Sequence, residues 1–535
     1  MTESTNLWEL VKKNPYNPHF WTELVIVSED TQNYEAISKA YNGILTTFPL
    51  LHTYWYKLAQ LQHNKLTARE AAHVFADAVR PSNLANSVDM WYLYCEFVKK
   101  YSAEFQLLEA ETVFENALSN IGSDYNSDQI WSLYINMEEE HGEYKKVSQL
   151  FARVLSLPIR NIDQFWNSFS KHVETHPIED CVTPEEHLVI EQQVSEYADK
   201  QELASMDSIN QIRRQYTINL RKEKCQEAQQ NIAKILYYEL KIQQTYFHFK
   251  KPSDLEIANW LQYIDYTDST ASFEETCHLY ERCLIPCSLC PFIWFKYAEY
   301  VFTRTEYIQK AIDILDRANE TALCNDPAYH RIRGIFFENH GMQEQADNAF
   351  TTLAKFKGAF AAIESSFYKM RKGEEYIEPL LKFYANSTDS NDIAPVAALL
   401  NKLNQEINPD ELLQRCKYNK LALSVACGIY EAQNNIAKAK EAFKNFIIGK
   451  AEIKDRIETN RYFVTFLNKI GAPIEEIRLA MKQQIMLEKE SRVELRRERR
   501  EEAKNTQDLS EFLDRWISYL QEAEAAKQRN DAQQQ

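Results

Sequence analysis

Trp260-Leu-Gln-Tyr-Ile-Asp265, answered 34 residues on by Trp294-Phe-Lys-Tyr-Ala-Glu-Tyr300, is the stretch on which the fold turns. In each half a tyrosine follows the tryptophan by three positions, and residues so spaced share one face of an α-helix. Working outward, the same beat appears upstream: Trp21, Trp55, Trp91, Trp131 and Trp166 are separated by 34, 36, 40 and 35 residues. Only Trp8 and Trp516 stand outside the ladder. A nearly fixed period of this length predicts a stack of small helical units.

The unit is a pair of helices. Three residues after each tryptophan comes a large side chain: Leu24, Leu58, Tyr94, Tyr134, Phe169, Tyr263 and Tyr297. These stripes define a first helix, A. Further on in each unit a large residue is followed three positions later by a smaller one, as in Phe75 with Ala78, Phe114 with Ala117, Phe151 with Val154 and Tyr280 with Cys283. This knob and shallow spot mark a second helix, B, which packs on the next A. Burying one indole removes roughly 150 to 250 Å² from water, an upper bound of about 4 to 6 kcal/mol. No pair can hide that face alone, so its neighbours must be present.

Composition agrees with an all-α chain. Only 10 of 535 residues are glycine, whereas 30 tyrosines and 27 phenylalanines supply inter-helix packing. The apolar run from Ile393 to Leu400, interrupted by Pro395, is too short to span a bilayer. Met1 to Leu10 carries acid and no basic leader, so a chain kept inside the cell is expected. A formal charge of −17 opposes broad binding to phosphate backbones and favours protein partners.

Four regions follow: an N-terminal array over 1–175, a linker and long helical connection over 176–250, a C-terminal array over 251–470, and charged C-terminal helices with a frayed tail over 471–535. The expected architecture is an α-solenoid whose two arrays form a curved arch. Within the connection, helical period runs from about Ser208 to Phe247, and Arg213, Arg214, Arg221, Lys222 and Lys224 make it locally basic. These five read either as a patch for RNA or an acidic partner, or as a solvated helix face. The stretch Asn386-Ser-Thr-Asp-Ser-Asn391 reads as an exposed loop. Ile474 to Lys504 reads as a long, highly charged helix. After it Phe512, Leu513, Trp516, Ile517 and Leu520 form an apolar stripe able to cap its own array or to lie against a partner.

Chemistry is hard to place in this chain. Cys287 and Cys290 have CxxC spacing, but Cys277 and Cys283 are too far apart to form the second pair of a zinc site. A B helix ending in a turn at Pro286 is the simpler reading. The twelve histidines include no HExxH. His141 and His340, each followed by glycine, read as helix C-terminal caps, and Glu138 to Glu140 as a solvated face. No catalytic residue, cofactor or metal is expected.

Helix A lacks the glycine that follows W-x2-L in tetratricopeptide repeats, Val25 and Ala59 taking that place, and so resembles the half-a-tetratricopeptide (HAT) repeat of RNA-processing scaffolds. The block Tyr246-Phe-His-Phe-Lys-Lys-Pro252, the Trp260 and Trp294 segments above, and Tyr280-Glu-Arg-Cys-Leu-Ile-Pro-Cys287 resemble the pre-mRNA-processing factor 39 family. That resemblance implies a nuclear, non-catalytic component of the U1 small nuclear ribonucleoprotein (U1 snRNP), acting in splicing when the 5′ splice site is recognised. It implies pairing through C-terminal arrays, with a second copy or with the related pre-mRNA-processing factor 42, and bridging of U1 snRNP proteins. Contact with U1 snRNA and pre-mRNA would be mostly indirect. Carried onto this sequence, the pairing surface falls between Arg461 and Leu520, with Phe512, Leu513, Trp516, Ile517 and Leu520 as its candidate residues. The alternative is a HAT scaffold of 3′-end cleavage and polyadenylation.

Overall fold

The computed structural model describes residues 2–201, 206–305 and 308–497, and among these every regular element is helical. Two compact units divide at Ala346, namely Met1–Ala346 and Asp347–Gln535. In the first unit the tryptophans occupy alternate helices. Trp21 lies on Pro18–Asp30, Trp55 on His52–Lys65, Trp91 on Val88–Lys100, Trp131 on Asp128–His141 and Trp166 on Ile162–Thr175. Trp260 lies on Asp254–Thr270 and Trp294 on Pro291–Thr305. Between them run the partner helices, among them Ala68–Ala78, Leu107–Ile121, Tyr144–Val154 and Phe273–Cys287.

Local sequence sets the boundaries. Asn17, Asn33, Thr67, Ser87 and Ser253 each accept a hydrogen bond from the first turn they precede, which satisfies donors a helix start leaves open. Ser272 and Glu275 form a reciprocal capping box. Gly142, at φ 78°, closes the helix that ends at His141, a conformation glycine adopts without strain.

Six of the ladder tryptophans are buried and Trp166 is half-buried. The residue three positions on is buried in all seven units. Each B-helix aromatic meets the A helix that follows: Phe75 stacks on Tyr94 at 5.5 Å, Phe114 on Tyr134 at 4.8 Å and Tyr280 on Tyr297 at 4.7 Å between ring centroids. The indole N–H groups also follow a rule. Those of Trp21, Trp55, Trp91 and Trp294 donate to the carbonyl six residues upstream, in Pro15, Pro49, Ala85 and Ser288. Such a bond satisfies a buried N–H, so each of these four indoles pins the turn that leads into its own helix.

Charged side chains then link one unit to the next. Arg153 pairs with Glu115 of the preceding B helix at 2.9 Å while its guanidinium lies over the Trp131 ring. Arg317 repeats this with Glu281, at 2.8 Å, over Trp294.

The long helix of the connection is Met206–Glu239, 34 residues, and stops short of the expected Phe247. The cause is Glu256, whose carboxylate accepts the backbone N–H groups of Gln243 and Gln244 at 2.9 and 3.0 Å and holds the chain off its helical path. The irregular segment returns to the first array, where Phe249 meets Phe48 edge-on at 5.0 Å.

Among the described residues of the second unit the pairing goes on without tryptophan. Phe350 stacks on Tyr368 at 4.0 Å, and Phe443 meets Phe463 at 5.3 Å. The expected loop from Asn386 to Asn391 is a tight turn, because Asp389 caps the helix Ser390–Lys402 through the Asn391 N–H. The residues 474–497 are helical.

Candidate interaction surfaces

Asp124 leaves the first array in the turn before the Trp131 helix, Glu239 ends the long helix, and Arg282 sits on Phe273–Cys287. All three are buried and meet. The Arg282 guanidinium makes two hydrogen bonds to Glu239, at 2.6 and 2.7 Å, and its Nε lies 3.5 Å from Asp124. Tyr263 donates to Glu239 at 2.9 Å, His278 comes within 3.4 Å of Asp124, and the guanidinium covers the Trp260 ring. Burial opposes the Asp124 charge, yet Arg282 and His278 hold its pKa down at about 2. This clasp joins the first array, the connection and the first later repeat into one unit.

The five basic residues of the connection do not form one exposed patch, which corrects that reading. Arg221 is fully buried, with Nε and Nη2 on Glu186 at 3.0 and 2.7 Å and its plane over the Phe169 ring. Arg213 makes a two-bond pair with Glu191, at 2.7 and 2.9 Å, and Arg214 donates to the His176 carbonyl at 2.9 Å. Only Lys222 and Lys224 are exposed. The reason is helical geometry: Arg214 and Arg221 are two turns apart and both face the first array, whose end they close.

The cysteines are packing residues. Cys283, Cys287 and Cys290 are buried, and the helix runs through Pro286 to Cys287 instead of ending in a turn there. Burial pushes the Cys277 thiol up to about 11, far from the thiolate that nucleophiles and metal ligands need. Among the described residues no group of three His, Cys, Asp or Glu side chains converges in a metal-binding arrangement. Glu138 also departs from its expected place on a solvated face. Its side chain is buried, 3.8 Å from Lys146, while Glu139 and Glu140 are exposed.

A cavity of about 370 Å³ opens where Phe48, Pro49 and Trp55 of the first array face Phe247, Ile285 and Trp294. Its walls mix apolar rings with amides and two arginines that already hold carboxylate partners, Arg80 with Asp77 and Arg317 with Glu281. In the second unit the surface lies on the last described helix, whose Leu479, Met486 and Val493 face solvent. The candidate pairing residues Phe512, Leu513, Trp516, Ile517 and Leu520 lie outside the described residues.

Two recurring contacts differ in how far the sequence marks them. The turn residues six positions before Trp21, Trp55, Trp91 and Trp294 are acceptors by backbone alone, so their side chains give no hint. The B-helix arginine, in contrast, recurs 22 residues after Trp131 and Trp260 and 23 after Trp294.

Comparison with known proteins bears on this geometry. Residues 5–171 match the family described as PRP39 N-terminal HAT repeat, and residues 233–372 match PRP39 C-terminal HAT repeat. Pre-mRNA-processing factor 39 of Xenopus laevis is 24% identical over 515 residues, covering 88% of this chain and 78% of that protein. The U1 small nuclear ribonucleoprotein component PRP42 of Saccharomyces cerevisiae is 21% identical over 332 residues, covering 57% of this chain and 58% of that protein. The crystal structure of CSTF-77 shares the fold, with a TM-score of 0.51 and 13% identity over 82% of this chain and 89% of the other.

Proposed function

Because the chain belongs to the PRP39 family of HAT-repeat proteins, we propose that it is a non-catalytic scaffold of the U1 snRNP in pre-mRNA splicing. In this reading it works in the nucleus, bridging U1-specific proteins and other factors while the 5′ splice site is recognised. It pairs through its C-terminal array with a second copy or with a PRP42-like protein. The observation that carries this is the pair of family matches, which together take in both sets of Trp-bearing helices. The physical features agree with it. Stacked helix pairs offer long side-chain surfaces suited to gripping other proteins, and a charge of −17 keeps any RNA contact local.

The test is purification of the tagged full chain from nuclear extract, with its RNA and proteins identified. Enrichment of U1 RNA and U1-specific proteins is the expected result. Recovery of polyadenylation factors without U1 RNA would overturn the assignment. Sedimentation of the recombinant chain then addresses pairing with itself.

A further inference from the structure

Two cavities of the first unit adjoin. The first, of about 370 Å³, lies between the turn over 48–51 in the first array and the turn over 288–290 that leads into the Trp294 helix. The second, of about 450 Å³, has Asp89 and Tyr92 in its wall together with Leu240 and Ile242 of the connection. Asn86 and Ile285 belong to the walls of both, so the two cavities make one seam.

The charges along this seam are unevenly matched. Each of its four arginines already holds a carboxylate: Arg80 with Asp77, Arg160 with Asp128, Arg282 with Glu239 and Arg317 with Glu281. Two carboxylates hold nothing. Glu320 in the wall of the first cavity and Asp89 in that of the second are exposed and make no ion pair among the described residues. A phosphate backbone would meet these two acids and no free cation, whereas a cationic ligand would complete both. The first cavity adds an apolar wall from Leu50, Leu289 and Phe247. Ser288 adds an unmet polar group there: its carbonyl accepts the Trp294 indole N–H at 2.9 Å, but its hydroxyl, on a residue only 1% exposed, has no hydrogen-bond partner. Such a hydroxyl is a place for an amide or carbonyl of the occupant.

We propose that this seam is the docking site for a basic segment of another protein, in which one large apolar side chain fills the first cavity and flanking lysine or arginine side chains pair with Glu320 and Asp89. A chain of residues is favoured over a small amine because the two free carboxylates belong to different cavities, so one small cation does not serve both. The site is a property of the first unit and stands apart from the splicing reading.

The test uses fluorescein-labelled nonapeptides with leucine, phenylalanine or tryptophan at the centre and lysines on each side of it at several spacings, added to the full chain at near-physiological salt. Fluorescence anisotropy should show binding of these peptides, and none of counterparts with glutamate for lysine or glycine for the central residue. Asp89→Asn combined with Glu320→Gln should weaken binding about tenfold, the loss of two exposed ion pairs. Both side chains are exposed, so far-ultraviolet circular dichroism should stay that of the parent. The control Glu35→Gln with Glu274→Gln removes the same charge from exposed positions elsewhere and should leave the affinity unchanged. With benzoylphenylalanine at the peptide's centre, irradiation should attach it to fragments that contain Leu50 or Leu289. An equal loss in the control would reduce the effect to overall charge, and adducts confined to other fragments would move the site; either result overturns the proposal. Binding by none of the lysine peptides, or their displacement by an oligouridine RNA, would overturn it as well.

Discussion

Gly43 lies against the edge of Trp21, so close that a Cβ built on it would stand 2.8 Å from the ring carbon Cζ3. Trp8 fills the other side, edge-on to Trp21 with centroids 6.0 Å apart. The first B helix therefore has no room for a side chain where three later ones carry an arginine over the indole, Arg153, Arg282 and Arg317. Replacing glycine by alanine inside a helix ordinarily gains up to about 1 kcal/mol in propensity. Here the neighbour is a rigid ring system held by its own hydrogen bond, and overpacking costs about 1 to 3 kcal/mol. Gly43→Ala should lower the denaturant midpoint of the first unit. A midpoint that rises instead would contradict the close packing.

Two tryptophans of the ladder should respond differently to truncation. Trp294 is buried, donates to Ser288 at 2.9 Å and lies under Arg317. Trp294→Ala should cost about 3 to 5 kcal/mol, through lost transfer free energy and a residual cavity. Trp166 is half-buried, and Trp166→Ala should cost roughly half as much, since the stabilisation scales with area removed from water. Urea melts of both variants provide the comparison. Equal losses would mean that burial does not rank the anchors.

The sequence makes the helices legible because hydrophobic periodicity records which face is buried. Trp131 and Tyr134 announce their shared face three positions apart, and Phe114 announces the knob that meets it. What the sequence hides is the direction of charge. Arg221 and Lys224 look alike in a basic run, yet the first is buried on Glu186 and the second is exposed. The difference lies in Glu186, 35 residues away, which no local pattern reveals. Helix ends suffer similarly. The long helix stops at Glu239 because Glu256, beyond the break, captures two N–H groups. Glu138 is hidden in the same way, since only the adjoining helix, through Lys146, marks its side chain as covered.

The clasp around Arg282 offers a sharper test of how the first unit is held together. Arg282→Ala would leave Glu239 and Asp124 buried without their shared cation. Breaking a buried pair from one side typically costs about 3 to 5 kcal/mol. Arg282→Met combined with Glu239→Leu removes both charges of the two-bond pair and should recover part of that loss. Asp124 adds a pH dependence. Its folded pKa, about 2, lies below the 3.8 of an ordinary aspartate. Its contribution is therefore full above pH 4 and is lost as pH falls through 2, with stability rising with pH between them. A single variant as stable as the parent would show that the clasp contributes nothing.

Glu138 should act in the opposite sense. Burial is the main cause that raises its pKa, with Glu111 and Glu143 adding to the shift and Lys146 working against it, and the result is about 7 in place of 4.5. The folded chain thus holds this proton more tightly than the unfolded chain does. Stability from this group is greatest below pH 4.5, falls as pH rises from 4.5 to 7, and is flat above. At pH 8 the buried carboxylate should cost about 1 to 3 kcal/mol relative to its protonated form. Glu138→Gln, neutral at every pH, should therefore melt at a higher temperature than the parent at pH 8 and close to it at pH 5. If the two proteins kept the same difference in melting temperature at both values, the carboxyl would not be titrating in the folded protein over this range.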